Sequence, residues 1–243
     1  MKISWTKKAK GIAINSTKKA DAKEKSKDKE RLNNIPQIKI IIIGKSGTGK
    51  TSFVNRWVSN TFCDVYKSTI VSEYSSKTYK YKNNIYKINL WDIAGQDHFA
   101  SLIKAFCRDA RGCITMSDIM EPSSLNDAIR WKKILDESET LPDGSAIPNI
   151  LIQNKLDLVN EDEINNKNIE EFSEKNKFDA WYNTSAKTGK NIPECMDKLL
   201  EIIIDKLNEL DLNDTNSVRN GLALDPDKYG EKDKIRDTQK GCC

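Results

Sequence analysis

Gly44-Lys45-Ser46-Gly47-Thr48-Gly49-Lys50-Thr51 has the spacing G-x-x-x-x-G-K-[ST]. Each residue type there has a chemical reason. The glycines let successive backbone N–H groups turn inward toward phosphate oxygens. Lys50 reaches the outer phosphates, and the Thr51 hydroxyl suits Mg²⁺. The apolar run Ile38 to Ile43, broken only by Lys39, reads as a strand, and Ser52 to Val58 reads as a helix. The loop therefore ends at a helix N-terminus, where the peptide dipole favours anions. Ser46, Gly47, Thr48, Gly49, Lys50, Thr51 and Ser52 become candidate nucleotide contacts, with Lys50 also a catalytic candidate. The bland alternative is a plain Gly/Ser turn, and the flanking strand and helix weigh against it. Alone, this segment implies a nucleoside triphosphate and Mg²⁺. It chooses neither the base nor the reaction.

The base is chosen further along. Asn154-Lys155-Leu156-Asp157 follows the apolar strand Ile150 to Ile152 and resembles the guanine-recognition motif N-K-x-D of the Ras superfamily. The resemblance implies that Asp157 accepts from guanine N1–H and the 2-amino group, donors that adenine does not place there. It also implies that Asn154 ties this loop to the phosphate loop and that Lys155 lies along the base. Thr184-Ser185-Ala186-Lys187 is similar to the companion motif, in which the Ala186 N–H meets the guanine oxygen and Ser185 and Lys187 flank it. An exposed loop is the plain alternative for either tetrapeptide alone.

Asp92-Ile93-Ala94-Gly95-Gln96 begins where an expected strand ends. In the family the residue at Asp92 holds a water on Mg²⁺, that at Gly95 contacts the γ-phosphate, and that at Gln96 orients the attacking water. Thr69 matches the threonine that closes on the metal, and Phe62 the aromatic beside the guanine. The metal set implied is Thr51, Thr69 and, through water, Asp92. Two loops would then hold the γ-phosphate and lose it on hydrolysis, an order–disorder switch. No arginine finger is visible in cis, so hydrolysis is expected to be slow until a GTPase-activating protein adds on the order of 10³–10⁵ in rate. His98, the only histidine, reads as a surface residue rather than a general base.

Tyr66-Lys67-Ser68-Thr69-Ile70 and Leu90-Trp91-Asp92-Ile93-Ala94-Gly95-Gln96 are similar to the switch regions of the Rab branch. Tyr74, Trp91 and Phe106 occupy the positions of the aromatics through which Rabs present nucleotide state to effectors. Val71-Ser72-Glu73-Tyr74, Asp97-His98 and Phe106-Cys107-Arg108-Asp109-Ala110 depart from the usual Rab sequences on that surface. Leu141 to Pro148 resembles the L-P-x-G-x-x-I-P loop of the Rab subgroup serving lysosome-related organelles. Cys242-Cys243 at the C-terminus is similar to the Rab ending that receives geranylgeranyl groups, and two lipids are what stable anchoring takes. The partners so implied are an exchange factor, a GAP, a GDI or escort protein and effectors. The expected location is the cytosol and the cytoplasmic face of an endosomal, lysosome-related or other endomembrane.

The elements that must position these residues follow from the pattern. Strands and helices alternate from Ile38 to about residue 208, which predicts an α/β P-loop G domain. Its six-stranded sheet would be mixed but mostly parallel, with helices on both faces. Tyr79 to Trp91 reads as an edge hairpin turning at Asn83-Asn84. Ser123 or Ser124 can cap a helix bearing Leu125, Ala128, Ile129 and Leu135, and Pro193 opens a last helix. Residues 1–36 read as a Lys-rich disordered extension, or alternatively as a basic arm touching acidic lipid headgroups. Residues 37–208 form the G domain, and 209–243 read as a flexible tail.

Composition agrees with a monomer that needs no staples. A domain of roughly 170 residues buries about 70 % of its unfolded surface. The net charge of +4 is too mild for a nucleic-acid binder. The six cysteines show no zinc spacing and suggest a reducing compartment. Lys2 excludes N-myristoylation, which needs glycine there. A GTP-binding scaffold with little or no hydrolysis remains an alternative. A P-loop kinase would need an acceptor site and a lid that the sequence does not offer.

Overall fold

The structure is a computed structural model that describes residues 35–96 and 103–219. His98, the Lys-rich stretch to residue 34 and Cys242-Cys243 lie outside the described residues. The described residues divide into two units, one ending at Ile204 and one beginning at Asp205.

The isoleucine run becomes β1, Gln37–Gly44, whose residues from Ile40 onward are buried on both faces. That burial explains the absence of strict polar alternation. β1 lies between β3, Asn84–Ile93, and β4, Gly112–Asp118, parallel to both, with Ile40 opposite Leu90 on one side and Gly112 on the other. β5, Asn149–Asn154, and β6, Ala180–Asn183, extend the sheet in parallel. β2, Ser72–Tyr81, pairs antiparallel with β3 at the other edge. The strand order is β2-β3-β1-β4-β5-β6. The sheet is thus six-stranded, mixed and mostly parallel, as the sequence predicts.

Alternate residues of β1 face different helices. Ile41 and Ile43 pack with Cys113, with Cys107 of α2 (Ile103–Cys107) and with Trp131 and Leu135 of α3 (Ser124–Asp136). Leu151 of β5 continues that face against Ala128 and against Ile169 of α4, Asn166–Lys175. On the opposite face, Lys77 of β2 reaches the Trp57 carbonyl of α1, Lys50–Ser59. There Ile203 of α5, Ile192–Arg219, sits so close over Gly112 and Ile40 that a Cβ on Gly112 would come within 2.3 Å of it. No described helix is long and apolar enough to cross a membrane.

Several boundaries differ from the sequence reading. β2 starts at Ser72, well before Tyr79, because this edge strand is half exposed and polar and shows no apolar signal. The hairpin turns at Lys82-Asn83, with Lys82 at φ +52°, one residue before the expected Asn83-Asn84 pair. Neither serine caps α3 by its side chain: the Ser123 hydroxyl donates to Glu121, and the Ser124 hydroxyl turns back to Asp118 and Glu121. α5 runs to Arg219, past residue 208, where periodicity fades. In the Leu141–Pro148 loop, Leu141 and Ile147 are buried against Trp131 and Leu135, so packing accounts for both apolar positions.

Candidate functional site

At the end of β1 the chain enters a loop that is crowded at Gly44 and Gly49. Gly44, at φ +135°, runs so close to β4 that a Cβ would lie 2.2 Å from the Met116 carbonyl. Thr48 Oγ1 donates to the Lys45 carbonyl across the turn at 2.9 Å. Gly49, left-handed, caps α1 with no side-chain acceptor, so the first helical N–H groups are left for a ligand. Lys50 folds back under the loop and donates to the Gly44 and Lys45 carbonyls at 2.8 and 2.9 Å. Burial lowers its pKa to about 8, partly offset by the Asp92 carboxylate.

Beside this lysine lies an oxygen cluster. The Thr51 hydroxyl donates to Asp92 Oδ2 and is 2.8 Å from the Thr69 hydroxyl. Asp92 is buried, and its Oδ1 has no hydrogen-bond partner. Desolvation pushes its pKa up to about 6, against the Thr51 bond and the Lys50 charge. An orphaned carboxylate oxygen beside two hydroxyls suits a hard cation that keeps waters and takes one carboxylate. Among the described residues no group of three or more His, Cys, Asp or Glu side chains could make a site by itself.

The two switch segments meet the phosphate loop. Ser46 N–H donates to the Gly95 carbonyl at 3.0 Å, and a Cβ on Gly95 would come 2.3 Å from the Gly44 carbonyl. The Ser46 hydroxyl is 3.1 Å from the Tyr66 hydroxyl, and Gln96 Nε2 donates to the Ser68 hydroxyl at 3.2 Å. Lys45 pairs with Glu121 and lies 3.8 Å from Asp127.

The base loops come from the ends of β5 and β6. Asn154 Nδ2 donates to the Thr48 carbonyl at 2.9 Å, while its Oδ1 accepts from the Ala186 N–H at 3.0 Å and the Thr184 hydroxyl at 3.3 Å. One buried side chain thus joins both base loops to the phosphate loop. Lys155, at φ +72°, pairs with Asp118 at 2.5 Å. Asp157 Oδ1 accepts from the Ser185 hydroxyl at 2.5 Å.

These segments surround one cavity of about 610 Å³. Ser46, Gly47, Gly49, Lys50, Thr51 and Ser52 line its phosphate end. Thr69, Gly95 and Gln96 join them in the lining, and Phe62, Asn154, Lys155, Asp157, Ala186 and Lys187 complete it. Thr48, Ser185 and Asp92 stand behind that lining, each bonded to a residue in it. The cavity could take a nucleotide at full length.

The sequence reading missed Arg56, which donates from α1 to the Ala186 and Lys187 carbonyls. No motif marks it; only an Arg between the apolar residues Val54 and Trp57 of the helix could have drawn notice. It also missed Lys39, whose ammonium lies 5.1 Å over the Trp91 ring. Trp91 itself joins Tyr74, 5.5 Å away, and Phe106, 6.0 Å away, in one aromatic cluster.

Comparison with known proteins agrees with this geometry. Residues 39–205 match the Ras family. The chain is 37 % identical to human Ras-related protein Rab-7L1 over 164 residues, covering 67 % of this chain and 80 % of that protein. It is 33 % identical to human Ras-related protein Rab-32 over 167 residues, 68 % and 74 % of the two chains. Identity to rat Ras-related protein Rab-12 is 31 % over 191 residues, 79 % and 76 % of the two chains. A G-domain sheet, one nucleotide-length cavity and relatives of this kind lead to one conclusion: the chain belongs to the Ras family and is a small GTPase of its Rab branch.

Proposed function

We propose that the chain binds GTP and GDP with Mg²⁺ in this cavity, hydrolyses GTP, and acts as a membrane-anchored switch in vesicle or organelle trafficking. One observation carries the reading: segments distant in sequence, each suited to a different part of a guanine nucleotide, line a single cavity.

Each residue then has a task. Lys50 and the open N-terminus of α1 neutralise the β- and γ-phosphates, and the arriving anion restores the lysine charge that burial weakens. Thr51 and Thr69 would hold Mg²⁺ directly and Asp92 through a water. The ion supplies positive charge at the phosphate oxygens as charge develops there. Gln96 leaves Ser68 to orient the attacking water, and Gly95 stays at the γ-phosphate because Ser46 holds its carbonyl. Asp157 reads the guanine N1–H and 2-amino group, Ala186 N–H meets the oxygen, and Phe62 and Lys155 flank the ring.

Loss of the γ-phosphate frees the segments carrying Thr69 and Gln96, and the Tyr74–Trp91–Phe106 cluster reports the change to effectors. An exchange factor, a GAP and a GDI or escort protein complete the cycle. Geranylgeranyl groups on Cys242 and Cys243 anchor the protein to the cytoplasmic face of an endosomal or lysosome-related membrane.

The test is displacement of a fluorescent GDP analogue from the purified chain in Mg²⁺. GTP and GDP should displace it at near-stoichiometric concentrations, ATP should not, and chelation of Mg²⁺ should speed its release. Equal displacement by ATP, or no retained analogue at all, would overturn the reading.

A further inference from the structure

Arg56 sits in the last turn of α1 and reaches both the Ala186–Lys187 loop and the segment from Asn60 to Phe62. Its Nε donates to the Ala186 carbonyl at 2.9 Å and its Nη2 to the Lys187 carbonyl at 2.5 Å. Nη1 donates to both the backbone and side-chain oxygens of Asn60, each at 3.1 Å. The guanidinium also lies 6.0 Å from the centre of the Phe62 ring. The backbone of Asn60, at φ +54°, donates in turn to the Arg56 carbonyl. The donor fork is thus spent on carbonyls and an amide, with no carboxylate among these partners.

Planar forks of this kind fix geometry as well as adding charge-assisted bonds. Two successive carbonyls held by one rigid group fix the orientation of the Ala186–Lys187 peptide and the next one. Ala186 N–H rests on Asn154 in this structure and must turn to the guanine oxygen when the base binds, which leaves Arg56 as a hold on this loop's backbone. The same guanidinium borders Phe62, where the segment leading to Thr69 begins. An element that moves Phe62 therefore removes part of what holds the base loop.

We propose that Arg56 is a positioning residue for the guanine oxygen contact. It holds the Ala186 loop against the base and sets how long the nucleotide stays bound, tying that residence time to the position of Phe62. The proposal rests on the guanine-nucleotide reading of the cavity.

Release of GDP and of 2-aminopurine riboside diphosphate, which lacks the 6-oxygen and with it the N1–H assigned to Asp157, would be timed for the full chain and for Arg56→Ala and Arg56→Lys. Charge-assisted bonds of this strength predict that Arg56→Ala speeds GDP release by on the order of ten- to a hundredfold. Arg56→Lys, with one ammonium in place of the fork, should fall in between. Release of the 6-oxygen-free analogue should change by less than about threefold, because the contact that Arg56 positions is already missing. GDP release at the wild-type rate in Arg56→Ala would overturn the proposal. So would equal acceleration for both ligands, which would mean general loosening of the fold. Failure of the wild-type chain to retain GDP would instead overturn the guanine reading itself. Should Arg56→Ala not fold, Arg56→Lys with the same two ligands decides the question.

Discussion

Aspartate and asparagine differ by a donor, and at position 157 that difference should decide which base is read. Asp157 gives one oxygen to the Ser185 hydroxyl and keeps acceptor capacity toward the cavity. Asp157→Asn would set an N–H against the guanine amino group and suit a carbonyl instead. GDP affinity should fall by on the order of 10⁴-fold, and xanthosine diphosphate should bind better than GDP, as read by competition. Retained preference for GDP would remove Asp157 from base reading. Gln96 is a different case, since its amide reaches Ser68 across the cavity rim rather than packing in the core. Gln96→Leu keeps the bulk and loses both amide groups. Single-turnover hydrolysis should slow by on the order of 10²-fold while GTP affinity stays within about twofold. An unchanged rate would mean that the water is held by another group.

The strands and helices set the tolerances within which those side chains work. β1 and β4 approach so closely at Gly44 that the substitution Gly44→Ala adds both backbone strain and a clash with Met116. It should cost about 3 kcal/mol or more in denaturant unfolding of the nucleotide-free protein, and a loss under about 1 kcal/mol would mean that the strands separate easily. Elements were legible where burial is complete. The isoleucine strand, the apolar core of β5 and the periodic face of α5 announce themselves, since water exclusion dictates their residue types. The polar edge strand β2 and helix α4, whose sequence NKNIEEFSEK buries only Ile169 and Ser173, left no such trace. Residues that the structure brings to the cavity were legible where a motif fixes the side chain, as at Lys50 or Asp157. Arg56 was not, because it acts on backbone carbonyls that any sequence supplies. Lys45 escaped for a related reason: its partners Glu121 and Asp127 lie on another loop and helix and share no spacing with it.

For the whole molecule, the proposed nucleotide chemistry and the proposed membrane attachment belong to different parts of the chain. Among the described residues the cavity is lined by ones between Ser46 and Lys187, whereas the cysteines proposed to carry lipid are the last two residues. Removing Cys242 and Cys243 should leave GDP release unchanged within about twofold and shift the protein from the membrane pellet to the supernatant, because two lipid chains are what make anchoring stable. If the truncated protein still pelleted, the Lys-rich N-terminal stretch would become the better candidate for attachment. The central claim is that the cavity turns GTP over and so acts as a timed switch. It is tested most directly by phosphate release in a single turnover from the purified chain loaded with GTP, with Mg²⁺, alone and with cell extract as a source of GAP. Slow release that the extract accelerates by on the order of 10³-fold or more is the predicted result. No release above buffer in either condition, from a chain that still holds GTP, would contradict it and leave a GTP-binding scaffold.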